Sequence, residues 1–249
     1  NTFDVCCMLD SQSYPDAYHQ YDFLLAAGVN RELNAATGQA FKQLKAFYDT
    51  QPAWMFGLMS YDLKNELEDL HSDNIDELQF PDLYFFVPQY LIACQQGQLT
   101  VLIGNEGIRE AILNTAPLNG EYNADVSIES RIDKTAYLHR IQQLKEQIRQ
   151  GNCYEVTFCQ EFFARNAAIN PLFIYQQLSL HSPAPFSGYF KIRDQYILSA
   201  SPERFLCKRG TRLISQPIKG TAARSENAAI DEQNRLNLEK DQKERAENV

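Results

Sequence analysis

The chain has 249 residues, 44% of them hydrophobic and 22% charged, with 11 Gly and 10 Pro; that length can bury a substantial core, and the balance excludes collagen-like, low-complexity and wholly disordered classes. A net charge of −9 and an isoelectric point near 5.0 argue against a nucleic-acid or anionic-membrane footprint over the whole surface. No stretch approaches the ~18 uninterrupted apolar residues of a membrane span, and residues 1–10 lack a basic region followed by an apolar one, so a cytoplasmic protein with no membrane or nucleic-acid partner is expected.

In chain order, Phe41, Leu44, Phe47 and Tyr48 stand at helical spacing and predict a helix over Ala35–Thr50. Aromatic and branched residues then predict strands over Trp54–Tyr61, Leu83–Cys94 and Gln98–Ile103, the last two joined by a Gln96-Gly97 turn. A second helix is predicted over Asp133–Gln150 from Tyr137, Leu138, Ile141, Leu144 and Ile148, with Asp133 as N-cap and Gly151 as its stop. Beyond it strand signals dominate: Tyr154–Phe163, Phe186–Ile192, Tyr196–Ala200, Arg204–Cys207 and Arg212–Ser215, interrupted by a helix starting near Pro171. Successive strands with short turns and no crossover helices give an antiparallel sheet and an α+β class.

Charge divides the chain. Residues 1–120 hold 5 basic and 16 acidic side chains, and residues 121–249 hold 18 and 16, so the two regions are expected to have different electrostatic tasks. Lys191–Arg224 alone has eight basic residues against Asp194 and Glu203, either a surface meander or a pocket for an anion. Both ends read as cut: the first residue is Asn, and the charged run Glu239–Val249 stops as an apolar residue appears. A fragment is therefore expected.

Cys6, Cys7, Cys94, Cys153, Cys159 and Cys207 form no CxxC pair and are expected to be reduced packing residues. His19, His71, His139 and His181 are isolated and are expected to be structural. No GxSxG, Walker A loop or GxGxxG occurs. The stretch Ser199–Arg224 stands out instead: Glu203 sits at the mouth of one predicted strand, and Lys219 lies between Ile218 and Gly220 just after another. Desolvation of such a lysine would free its amine as a nucleophile; the alternative is a surface lysine in a turn.

SPERF at Ser201–Phe205, PIKGT at Pro217–Thr221, GNCYEVTFCQEF at Gly151–Phe162, PAP at Pro183–Pro185 and ERAENV at Glu244–Val249 resemble, in order and spacing, the chorismate-utilising enzymes. FGLMSYDLKNELE at Phe56–Glu68 and YDFLLAAG at Tyr21–Gly28 resemble the N-terminal sheet region of that group. Lysine within PIKGT, where anthranilate synthases carry an alanine-type residue, resembles the aminodeoxychorismate synthase component I branch. Asn152 departs from the family's more usual aspartate.

The resemblance implies two packed antiparallel sheets ringed by helices, residues 1–120 being an N-terminal sheet region and residues 121–249 the first part of a chorismate-binding catalytic region. It implies amination of chorismate to 4-amino-4-deoxychorismate on the route to p-aminobenzoate and folate, with ammonia from a glutamine amidotransferase subunit. Lys219 would attack ring carbon C2 as the C4 hydroxyl leaves, and ammonia adding at C4 would then displace the lysine. Glu203 would be the general acid, a task that needs a carboxyl with a raised pKa. Gly220 and Thr221 would shape the loop around the ring, and the basic run would cradle a dianion. Mg2+ would bridge a substrate carboxylate to glutamates, Glu247 among them; the alternative for Glu247 is a solvated helix residue. The family continues past ERAENV with further acidic ligands, so the resemblance implies a C-terminal part of the site outside this sequence and an inactive 249-residue piece. Two other readings stand beside it: an anthranilate or isochorismate synthase relative, and a catalytically inert module binding chorismate or an amino acid.

Overall fold

In VCCMLD, Val5 and Cys7 are buried while their neighbours are more open, the period-two pattern of a strand with one face in a core. This is β1 (Val5–Asp10), the first element of a computed structural model that describes residues 2–116, 126–218 and 220–247, the last without its side chain. There follow β2 (Phe23–Ala35), α1 (Ala40–Thr50), β3 (Phe56–Met59), a 3-10 turn over Tyr61–Glu66, β4 (Leu83–Gln95), β5 (Gln98–Ile103) and α2 (Gly107–Leu113). Next come β6 (Glu129–Ser130), α3 (Lys134–Arg149), β7 (Phe162–Phe163) and α4 (Pro171–His181). Four strands close the order, β8 (Phe186–Ile192), β9 (Gln195–Ser201), β10 (Arg204–Arg209) and β11 (Arg212–Gln216), before α5 (Ala228–Lys240) and α6 (Gln242–Glu247).

The chain forms two compact units. The first, Asn1–Pro117 with Tyr175–Val249, is built on a seven-stranded sheet in the order β3-β4-β2-β1-β8-β9, with β5 also on β4. Its pairings are antiparallel, as expected for an α+β fold. One face of this sheet buries Val5, Cys7, Ala26, Phe56, Tyr84, Phe86, Leu91, Phe190 and Ile192 as a single cluster. Phe86 stacks on Phe190 at 6.1 Å between ring centroids, with Tyr84 and Phe56 tilted against them. Pro88 lies inside β4 and has no N–H, so the β2–β4 register slips between Val29 and Arg31. Side chains bridge the gap: Asn30 donates to Pro88 O at 3.1 Å and Gln89 to Val29 O at 3.0 Å.

A separate antiparallel ribbon, β10–β11, belongs to the same unit. The second unit, Leu118–Ile174, contains α3 and the short β6–β7 pair. There Asp133 caps α3 by accepting the Ala136 N–H at 2.9 Å, and Gly151 follows the helix with φ +77. The Gln96-Gly97 turn has both residues at positive φ, 51 and 74, as a two-residue hairpin loop needs.

Two expectations are corrected. The predicted strand Tyr154–Phe163 reduces to β7, because among the described residues only Glu129–Ser130 pairs with it. The helix predicted over Ala35–Thr50 starts at Ala40, since Ala35 still pairs with Leu83 in the sheet. Its free N–H groups at Gly38 and Ala40 donate to the carboxylate of Glu66 from the 3-10 turn rather than to a cap of its own. Strands β1 and β2, which no periodicity argument singled out, are central to the sheet. Among the described residues no helix is long and apolar enough to cross a membrane.

Candidate functional site

Strand β9 ends at Ser201 and Pro202 breaks the ladder, so Glu203 stands at the mouth of the β10–β11 ribbon, as predicted. The Glu203 N–H is turned back toward Ser201 Oγ at 3.4 Å. Across the mouth, β11 ends at Gln216 and Pro217 again removes a donor. The next N–H, that of Ile218, donates to Glu203 Oε1 at 2.7 Å. The carboxylate of Glu203 is thereby tied to the backbone immediately before position 219. Lys219 itself lies outside the described residues.

Gly220 has φ +78, a conformation that costs a β-carbon-bearing residue dearly. A β-carbon there would also stand 2.5 Å from Glu244 Oε2 and 3.1 Å from Leu238 Cδ1. The glycine therefore lets the segment after Lys219 lie against side chains of α5 and α6. Thr221 is exposed. Glu247 falls in α6 by its backbone, and its side chain lies outside the description. The structure thus brings Glu203, Ile218, Gly220 and Glu244 into one neighbourhood. Glu244 went unremarked in the sequence although it stands three residues before Glu247 in the same motif.

Among the described residues the basic run divides: Arg204, Lys208 and Arg209 line one cavity, while other members find separate partners. Lys191 is buried and donates to Phe3 O at 2.8 Å. Arg193 pairs with Glu32 at 2.9 Å, Arg224 with Asp231 at 2.8 Å, and Arg209 donates to Gln20 Oε1 and Tyr18 O. The Arg224 guanidinium, with the Ser225 N–H, holds the Asp231 carboxyl below the usual carboxylate range. Sequence proximity had placed these charges together, whereas β8, β9 and the ribbon carry them to different partners.

Arg204 is partly enclosed. It pairs with Asp16, donates through Nε to Gln216 Oε1 at 2.6 Å, and lies 4.7 Å over the Phe186 ring. A cavity of about 430 Å³ within the first unit opens beside this pair, lined in part by Asp10, His19, Trp54 and Lys208. Residues 11–20, which include Asp16, carry neither periodicity nor a motif that would point to this cavity.

All six cysteines are free thiols, as expected, but only Cys7 and Cys94 are buried in packing and Cys159 is exposed; His19 and His181 each bond a backbone carbonyl. Among the described residues no group of three or more His, Cys, Asp or Glu is placed to hold a metal ion.

Residues 5–249 match the family described as chorismate binding enzyme, and the chain belongs to that family. It is 28% identical over 198 residues to aminodeoxychorismate synthase component 1 of Salmonella typhimurium, covering 78% of this chain and 43% of that protein. To an anthranilate synthase component I-like protein of Synechocystis it is 28% identical over 204 residues, covering 79% and 42%. The chain thus spans less than half the length of these curated relatives. Its fold is that of anthranilate synthase component I from Streptococcus pneumoniae, with a TM-score of 0.75 at 17% identity over 94% of this chain and 60% of that one.

Proposed function

We propose that the protein aminates chorismate to 4-amino-4-deoxychorismate, on the way to p-aminobenzoate and folate, in the cytoplasm. Lys219 is the nucleophile at C2, Glu203 the general acid that protonates the departing C4 hydroxyl, and ammonia from a glutamine amidotransferase subunit adds at C4 and expels the lysine. Gly220 and Thr221 shape the loop. The observation that carries the reading is the bond from the Ile218 N–H to Glu203 Oε1, which sets the acid one residue from the nucleophile. Such fixed proximity is what two groups acting on one ring, one at C2 and one at the C4 substituent, require.

Magnesium, with Glu247 as one ligand, belongs to the same proposal. When bound it would neutralise a substrate carboxylate. The acids of α6, Glu244 and Glu247, are hard oxygen donors of the kind magnesium takes. The Glu247 side chain lies outside the described residues, so no step is routed through the ion.

A second reading, an anthranilate synthase relative, is favoured by the Synechocystis protein's similarity. One experiment separates the two. Full-length protein is incubated with chorismate and magnesium without ammonia, and Lys219 is examined by intact-protein and peptide mass spectrometry. A covalent adduct on Lys219 is expected, lost in Lys219→Ala and in Lys219→Arg, because a guanidinium stays protonated and cannot attack. An unmodified lysine together with an active arginine variant would demote Lys219 to a substrate-binding cation.

A further inference from the structure

At the mouth of the β10–β11 ribbon the backbone ladder gives way. Arg204 and Gln216 are cross-strand partners, but the next paired residues are Cys207 and Ile214, with a register shift between. A side chain closes the gap: Arg204 Nε donates to Gln216 Oε1 at 2.6 Å. The same guanidinium pairs with Asp16, and the two side chains are only 14% and 8% exposed. Asp16 is itself held, since its Oδ1 accepts the Tyr18 N–H at 3.1 Å.

A buried ion pair is a poor source of stability, because desolvating both charges cancels most of their attraction. It is well suited to fixing geometry. A guanidinium can serve two acceptors at fixed angles while its face rests on a ring, here Phe186, and an ammonium cannot. Glu203 directly precedes Arg204, and Ile218 follows Gln216 by two residues. Whatever sets the spacing of Arg204 and Gln216 therefore sets whether the Ile218 N–H meets Glu203.

We propose that Arg204, anchored by Asp16 and reaching Gln216, is a positioning residue that holds Glu203 against the backbone of Ile218. The inference rests on the roles proposed for Glu203 and Lys219. Gln216 is the site for the test, because changing it leaves the Asp16 pair intact and spares the fold.

Full-length protein with Gln216→Ala, Gln216→Glu or Arg204→Lys is compared with the unaltered enzyme, with Arg193→Gln as a control that breaks an ion pair elsewhere in the same unit. Hydrogen exchange at the Ile218 amide is read without substrate, and kcat and KM for chorismate are read with it. In Gln216→Ala and Arg204→Lys, Ile218 should exchange about tenfold faster, as for a locally opened bond, with β8 amides unchanged. The same variants should lose about tenfold in kcat while KM stays within about twofold, the pattern of a misplaced reacting group. Gln216→Glu, which keeps an acceptor for Arg204, should restore both, and the control should move neither. Unchanged Ile218 exchange in Gln216→Ala overturns the proposal, as does a loosened Ile218 with normal kcat, or a Gln216→Glu enzyme as impaired as the alanine one. Absence of a Lys219 adduct in the unaltered enzyme overturns the amination reading instead, while the exchange measurement still decides what Arg204 does.

Discussion

Cys7 shows how one buried atom couples this fold to pH. It sits in β1 within the main core at 4% exposure. Burial, and then the neighbouring thiol of Cys6, push its pKa up to about 12 from an ordinary value of 9.0. The folded state thus holds the Cys7 proton more tightly than the unfolded chain does. That contribution is fully present below pH 9.0 and is lost as pH rises toward about 12. Tyr189, raised to about 12 by the same cause, adds to the loss only above its ordinary value of 10.0. The melting temperature should therefore be flat near neutrality and fall from about pH 9, as linkage requires. Cys7→Val, which keeps an apolar side chain in the strand, should make the fall between those two onsets shallower, leaving the part due to Cys6 and Cys94, which burial also raises from 9.0. Equal slopes for both proteins across pH 8 to 10 would show that Cys7 does not govern it.

Among the elements, α3 depends on its ends. None of its residues is buried, so packing lends it little, and the Asp133 cap satisfies an N–H that would otherwise be unpaired in the first turn. Asp133→Ala should destabilise the helix by ~1 kcal/mol, the usual cost of losing such a cap. Faster hydrogen exchange confined to residues 134–138 would report it, and unchanged exchange there would mean that the helix does not need the cap. That start was legible because capping is local chemistry, and so were the Gly151 stop and the Gln96-Gly97 turn. Strands β8 and β5 were legible too, since short apolar runs between turn residues leave few alternatives. Tyr154–Phe163 has strand-like residues, but strand formation needs a partner, and only its last two residues find one. The site divides the same way. Glu203 and the 217–220 segment could be placed from motif spacing, whereas Asp16 meets Arg204, beside Glu203, through a contact nearly 190 residues apart, which no local pattern encodes.

For the whole molecule, the question is what 249 residues can do alone. The aligned part covers 43% of the Salmonella relative, and the structural neighbour is matched over 60% of its length. The ribbon that carries Glu203 leaves Phe205 91% exposed and Leu213 64% exposed, large apolar surfaces beside a site that has to exclude water to stabilise developing charge. A two-stranded ribbon is also marginal by itself and cannot hold an acid and a nucleophile in register without further packing. The chain as given should therefore show no measurable conversion of chorismate in the presence of ammonia and magnesium, although its seven-stranded sheet folds. The measurement pairs a product assay with a cooperative thermal melt of the same sample. Turnover at a rate normal for an enzyme would overturn this expectation and mean that the chain as given already encloses a working site. A folded but inactive chain is the expected outcome, in keeping with an alignment that covers 43% of the Salmonella relative.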